Sequence, residues 1–86
     1  MLYLLGDKVT GAQGLEYARM DAEAIVVLIK DGVYLDIALI QDKKIYAMDN
    51  DVKNRGMEER LKDQAEIIGY EQLVDLVVEN KVANFA

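Results

Sequence analysis

The 86-residue chain is the length of one small domain spanning residues 1–86, with 52% apolar residues, a formal net charge of −6, and neither cysteine nor histidine. This composition excludes thiol nucleophiles, disulfides, imidazole bases and the usual zinc ligands. The acidic balance also argues against direct nucleic-acid contact, which needs clustered Lys and Arg. A domain of this size buries only ~60–65% of its unfolded surface, so its high apolar content points to a surface covered by another subunit.

The opening MLYLLGD has no basic flank and too short an apolar run for a leader. No apolar run approaches the ~20 residues of a membrane helix. A cytoplasmic protein with no membrane partner is expected. The run Leu2-Tyr3-Leu4-Leu5, closed by Gly6-Asp7, predicts a first strand buried on both faces. From Thr10 to Ala22 the apolar positions Leu15, Ala18 and Ala22 share one helical face, with Thr10 as the expected cap. Gly11 and Gly14 weaken that helix at its N-terminal end.

Ala24 to Ile29 is rich in β-branched residues and predicts a central parallel strand, broken by Asp31-Gly32. Val33, Ile37 and Ile40 recur at helical spacing and predict a short, mostly buried helix over 33–40. The pair Lys43-Lys44 marks a solvated turn, and Lys44 to Met48 forms the third strand. Asp49-Asn50 offers an N-cap for about one helical turn, Val52 to Arg55, and Gly56 suits a left-handed helix terminus. Glu58 to Gln64 reads as a charged surface loop or loose helix, and Ala65 to Ile68 as a fourth strand. Tyr70 to Asn80 is the clearest helix, with an apolar stripe of Tyr70, Leu73, Val74, Val77 and Val78. Val82 to Ala86 reads as an edge strand or an arm. The alternation predicts an α/β fold: three layers, α/β/α, around a mostly parallel sheet of four to five strands joined by right-handed crossovers.

In such folds ligands bind beyond the carboxyl ends of the strands. Those ends carry Asp7, Asp31 and Asp49, which have the chemistry of a Mg²⁺ pocket, although each is more simply a cap or a turn residue. Gly11-Ala12-Gln13-Gly14 has neither the Walker pattern nor the GxGxxG spacing of a phosphate loop. The five tyrosines are dispersed, and most are expected to be half-buried. Arg55, directly before Gly56, suits an interface or a structural ion pair as well as a solvated helix end.

The segment Ile45-Tyr46-Ala47-Met48-Asp49-Asn50-Asp51-Val52-Lys53-Asn54-Arg55-Gly56-Met57 resembles the DsrH/TusB family. The shared features are an apolar-Tyr-Ala-apolar strand, an acidic cap, and a helix ending in Arg-Gly-apolar. The strand ending Lys30-Asp31-Gly32-Val33, the final helix opened by Tyr70 and the position of the first strand are similar to that family too. The resemblance implies a DsrE/F/H-like fold, no cofactor, and partnership with DsrE/TusD-like and DsrF/TusC-like subunits in complexes that pass sulfane sulfur as a cysteine persulfide. One branch of the family serves 2-thiolation of the tRNA wobble uridine and another serves dissimilatory sulfur oxidation.

A persulfide carrier needs a thiolate, and this chain has none. No catalytic residue is carried over, and a non-enzymatic subunit is expected. The alternative is a stand-alone homo-oligomer of the same fold that binds a small ligand or regulates. The residues singled out for an interface or strand-end site are Asp31, Gly32, Tyr46, Asp49, Arg55 and Gly56.

Overall fold

Five strands pair in parallel in the order β4-β3-β2-β1-β5. They are β1 (Leu2–Leu5), β2 (Ile25–Leu28), β3 (Lys44–Met48), β4 (Glu66–Ile68) and β5 (Val82–Phe85). The computed structural model describes residues 1–86. The helices are α1 (Lys8–Met20), α2 (Asp49–Asn54), α3 (Glu58–Leu61) and α4 (Tyr70–Glu79).

The strand order fixes the layers. Each step from β1 to β4 moves the same way across the sheet, so right-handed crossovers place α1, the β2–β3 connection, α2 and α3 on one face. The return from β4 to β5 runs the other way and puts α4 alone on the opposite face, giving three layers. Side chains alternate across the sheet. Tyr3, Leu5, Val26, Leu28, Ile45 and Ala47 face the main core with Ala18, Val33, Ile40, Val52 and Leu61. Leu2, Val27, Met48 and Ile68 are buried but stand outside that cluster, on the α4 face.

Several elements differ from expectation for identifiable reasons. Helix α1 starts two residues before Thr10 because Asp7, not Thr10, is its cap: the carboxylate accepts from the backbone N–H groups of Val9 at 2.9 Å and Thr10 at 3.0 Å. The same helix ends at Met20, short of Ala22, with Asp21 as its C-cap. Gly11 and Gly14 are buried inside it, and they are what lets it lie close to the sheet. A Cβ on Gly14 would collide with Leu5 and Phe85, and one on Gly11 would stand 2.9 Å from Leu35. Here packing outweighs propensity.

The helix expected over 33–40 is two 3-10 turns instead, Lys30–Tyr34 and Ala38–Ile40. Leu35 between them is extended, and Asp36 Oδ1 accepts the Ala38 N–H at 3.1 Å. Val33, Leu35, Ile37 and Ile40 are all buried, a set that no single helical face holds.

Helix α2 begins at Asp49, with Met48 in the cap position and no side-chain cap bond, so Asp49 and Asn50 are not the cap. The carboxylates of Asp49 and Asp51 instead sit in the first turn, where the helix dipole favours them. Its end is a Schellman motif. Met57 N–H donates to Val52 O at 3.0 Å and Gly56 N–H to Lys53 O at 3.2 Å, with Gly56 at φ +64°. Glu58–Leu61 forms one helical turn that drives Leu61 fully into the core. Lys43 is not solvated: its side chain is largely covered and pairs with Asp42 at 3.1 Å. The C-terminal segment is a true strand, hydrogen-bonded beside β1.

Candidate functional site

The carboxyl ends of β1, β2 and β3 bring the turn after β2 against the end of α2. Ile29 continues β2 by donating its N–H to Leu5 O at 2.9 Å. The chain then reverses through Lys30, the one non-glycine residue with positive φ, at +49°. Gly32 N–H closes the turn onto Ile29 O at 2.8 Å. Gly32 lies directly on the Leu5 carbonyl, where a Cβ would collide with backbone. This is a close-approach glycine, with no special dihedral requirement.

Arg55 organises the rim. Its Nε donates to Asp31 Oδ1 at 3.0 Å and its Nη1 to Asp51 Oδ1 at 3.4 Å. The Arg55 side chain is only 23% exposed, and its two bonds join the turn after β2 to α2. Across the same end, Lys8 Nζ stands 4.9 Å above the Tyr34 ring, a cation–π contact. The Asp7 carboxyl is held below its ordinary range by the backbone N–H groups of Thr10 and Val9.

Of the six residues singled out from the sequence, the structure joins Asp31 to Arg55 and packs Gly32 beneath them. Asp49 starts α2, and Gly56 ends its C-terminal motif. Tyr46 is not with them. It lies in β3, lining a shallow cavity with Glu66 and Ile68 of β4 and Gln72 and Leu76 of α4. Asp7, Asp31 and Asp49 do not converge: Asp7 caps α1, Asp31 holds Arg55, and Asp49 opens α2, so the aspartates do structural work.

Two surfaces were not foreseen. One is an aromatic hollow in which Phe85 stacks between Tyr3 and Tyr17, with centroids at 6.4 and 5.9 Å. The Tyr3 hydroxyl donates to Asp21 at 3.0 Å. The only advance signal for it was the scatter of aromatic residues. The other surface is the outward side of α4, legible in the sequence as an apolar stripe but not as an exposed one. At the strand-end rim Asp31 and Asp51 are already engaged by Arg55, and Asp7 by the first turn of α1. The rim holds backbone geometry and presents a surface.

Comparison with known proteins decides the family. A family model described as "DsrH like protein" matches residues 12–83. The chain belongs to the DsrH/TusB family. A curated relative, "Protein TusB" of Buchnera aphidicola subsp. Baizongia pistaciae (strain Bp), is 31% identical over 58 residues, covering 67% of this chain. The match spans 61% of that relative's length. The DsrH match takes in everything from the second turn of α1 to β5, including the whole Arg55 rim and α4. No helix of this DsrH-family chain is long and apolar enough to cross a membrane.

Proposed function

We propose that this protein is a non-catalytic, cytoplasmic subunit of a DsrE/F/H-type sulfur-relay complex, supporting persulfide sulfur transfer such as 2-thiolation of the tRNA wobble uridine. The observation that carries this reading is the conjunction of DsrH/TusB membership with a sequence that contains no cysteine. Sulfane sulfur is held and handed on by a thiolate. A member of this family without one acts through its surface, while a DsrE/TusD-like or DsrF/TusC-like partner bears the thiol. The strand-end residues Asp31, Gly32, Asp49, Arg55 and Gly56, with Tyr46 beside α4, belong in this reading to the contact region or its immediate support.

The test is co-expression of the tagged chain with DsrE-like and DsrF-like chains from the same genome, followed by sizing and intact-mass measurement with and without reductant. The reading expects a stable hetero-oligomer and reductant-labile sulfur on a partner chain only. Sulfur bound covalently to this chain, or a homo-oligomer indifferent to those partners, overturns it. Arg55→Glu reports on the strand-end rim separately: an unchanged assembly would remove those residues from the contact.

A further inference from the structure

Helix α4 is the sole cover of its face of the sheet, and no residue in it is buried. Leu73 and Leu76 turn toward the strands and are half-covered. Tyr70, Val74 and Val78 follow one another at intervals of four, with Val77 alongside, so they form one stripe. Tyr70 is 72% exposed and Val78 77%, with Val74 and Val77 near 40%. The helix is therefore apolar on two sides, and the sheet occupies only one of them. Such a stripe has no role in the isolated fold.

A second feature lies beside it. Glu71, Asp75 and Glu79 form an adjacent row at the same interval of four, and none of them makes an ion pair or a side-chain hydrogen bond. Like charges at this spacing repel. Glu79 stands in a last turn that holds no basic residue, where a carboxylate opposes the helix dipole. Both arrangements are unfavourable in the free chain, and both are relieved by cations brought from outside. A second copy is a poor source of them, because it brings another charge of −6 and the same acidic row.

We infer that the outer side of α4 is a docking surface for a different protein, one that presents an apolar groove edged by Lys and Arg. The inference rests on the subunit reading above and names the surface that such a subunit would use. A standard interface covers about 800 Å² on each partner, roughly one-sixth of the chain's 5138 Å². The footprint therefore runs beyond the helix, to Val82 after it, which pairs with Leu2 on the α4 face of the sheet and is 37% exposed.

The experiment measures affinity for the co-expressed DsrE-like and DsrF-like chains, using four forms of this protein. They are wild type, Val78→Asp, the charge reversal Asp75→Lys/Glu79→Lys, and Leu39→Asp as a control. Leu39 is 74% exposed but lies in the β2–β3 connection, on the opposite layer. Circular dichroism and a melting curve establish that each form is folded.

The expected result is at least a tenfold loss for Val78→Asp and for the charge reversal, weakening of wild type by added salt, and no change for Leu39→Asp. Affinity within twofold of wild type for folded Val78→Asp overturns the surface while leaving the subunit reading intact. Unchanged affinity for the charge reversal overturns the Lys/Arg-edged partner. Self-association of wild type that Val78→Asp disperses would make the occupant a second copy and overturn the inference. No association of wild type with those chains overturns the inference and the subunit reading together.

Discussion

Arg55 and Asp31, 24 residues apart in the chain, meet through a 3.0 Å charge-assisted hydrogen bond that ties the turn after β2 to the end of α2. Asp51, one helical turn before Arg55, holds the same guanidinium at 3.4 Å. The Asp31 side chain is 54% exposed, so solvent screens the pair. We expect a double-mutant cycle of Asp31→Ala and Arg55→Ala, read by urea denaturation, to give a coupling of about 0.5–1 kcal/mol that shrinks in high salt. A coupling well above that range, or one insensitive to salt, would show that the pair is more deeply desolvated than its exposure implies.

Gly32 seals the turn that this ion pair anchors. A Cβ there meets the Leu5 carbonyl, which is backbone and cannot rotate away. Gly32→Ala should destabilise the fold by about 2–3 kcal/mol, the cost of overpacking plus displacement of a central strand end. At ~4–8 °C per kcal/mol for a domain of this length, the melting temperature should fall by more than ~8 °C. A melting curve superimposable on wild type would mean that the turn can move without cost.

Lys30, two residues earlier, adopts a left-handed conformation at φ +49° without being glycine or asparagine. An L-residue there costs about 1 kcal/mol relative to glycine, partly offset by the extra freedom that glycine has when unfolded. Lys30→Gly should therefore be neutral to stabilising by about 0.5 kcal/mol in urea titrations. A clear loss would show that the Lys30 side chain has a role that offsets its backbone strain.

How much of this was legible in the sequence follows from which forces are local. The runs Leu2–Leu5, Ile25–Leu28 and Lys44–Met48 announced strands because uninterrupted apolar and β-branched residues suit a sheet covered on both faces. Gly56 was legible because a left-handed helix end is a requirement of local backbone. Gly11 and Gly14 were misread because their value lies in contact with Leu35, Leu5 and Phe85, which no local window contains. The 33–40 segment was misread because Val33, Ile37 and Ile40 fit a helical spacing while Leu35, equally buried, breaks it. The role of Val82–Phe85 depended on pairing with β1 at the other end of the chain. At the rim, the type of interaction at Arg55 could be read from its chemistry, but its partners at positions 31 and 51 could not. The bareness of α4 could not be read at all, since an amphipathic stripe looks the same whether the core or another protein receives it.

The acid limb of the stability curve should trace to the two carboxylates that flank α1, Asp7 and Asp21. Asp7 is held below 3.8 by the backbone N–H groups of Thr10 and Val9. Asp21 is held below 3.8 first by the Glu23 N–H and then by the Tyr3 hydroxyl. A carboxyl with a depressed native pKa binds protons less readily when folded, so its contribution is complete above the unfolded value and is lost as pH falls through the native one. Stability should decline below pH ~4. Asp7→Asn keeps a capping oxygen but cannot titrate. It should melt near wild type at neutral pH and show a shallower decline in acid. Tyr3 gives the opposite limb. Its pKa is raised above 10.0, by burial first and then by Asp21. Its contribution is therefore complete below pH 10 and is lost above it, as pH rises through the native value, and Tyr3→Phe should remove that part of the alkaline loss. Acid and alkaline curves for these variants parallel to wild type would assign both limbs to other groups.

Leu61 tests the claim that the single turn Glu58–Leu61 belongs to the core. Its neighbours Glu58, Glu59, Arg60 and Lys62 are all exposed, which is why the segment reads as surface in the sequence. Yet Leu61 itself is fully buried among the main cluster, and its N–H donates to Met57 O at 3.0 Å. Leu61→Ala leaves a cavity that a one-turn helix held by the preceding Schellman motif can only partly close. The expected cost is about 2–4 kcal/mol by chemical denaturation. Glu59→Ala, removing a side chain that is 88% exposed and meets only Lys62, should stay within about 0.5 kcal/mol of wild type. If the two substitutions cost the same, residues 58–64 are the surface loop their charge suggests, and the β3–β4 connection reaches the core through Val52 and Met57 alone.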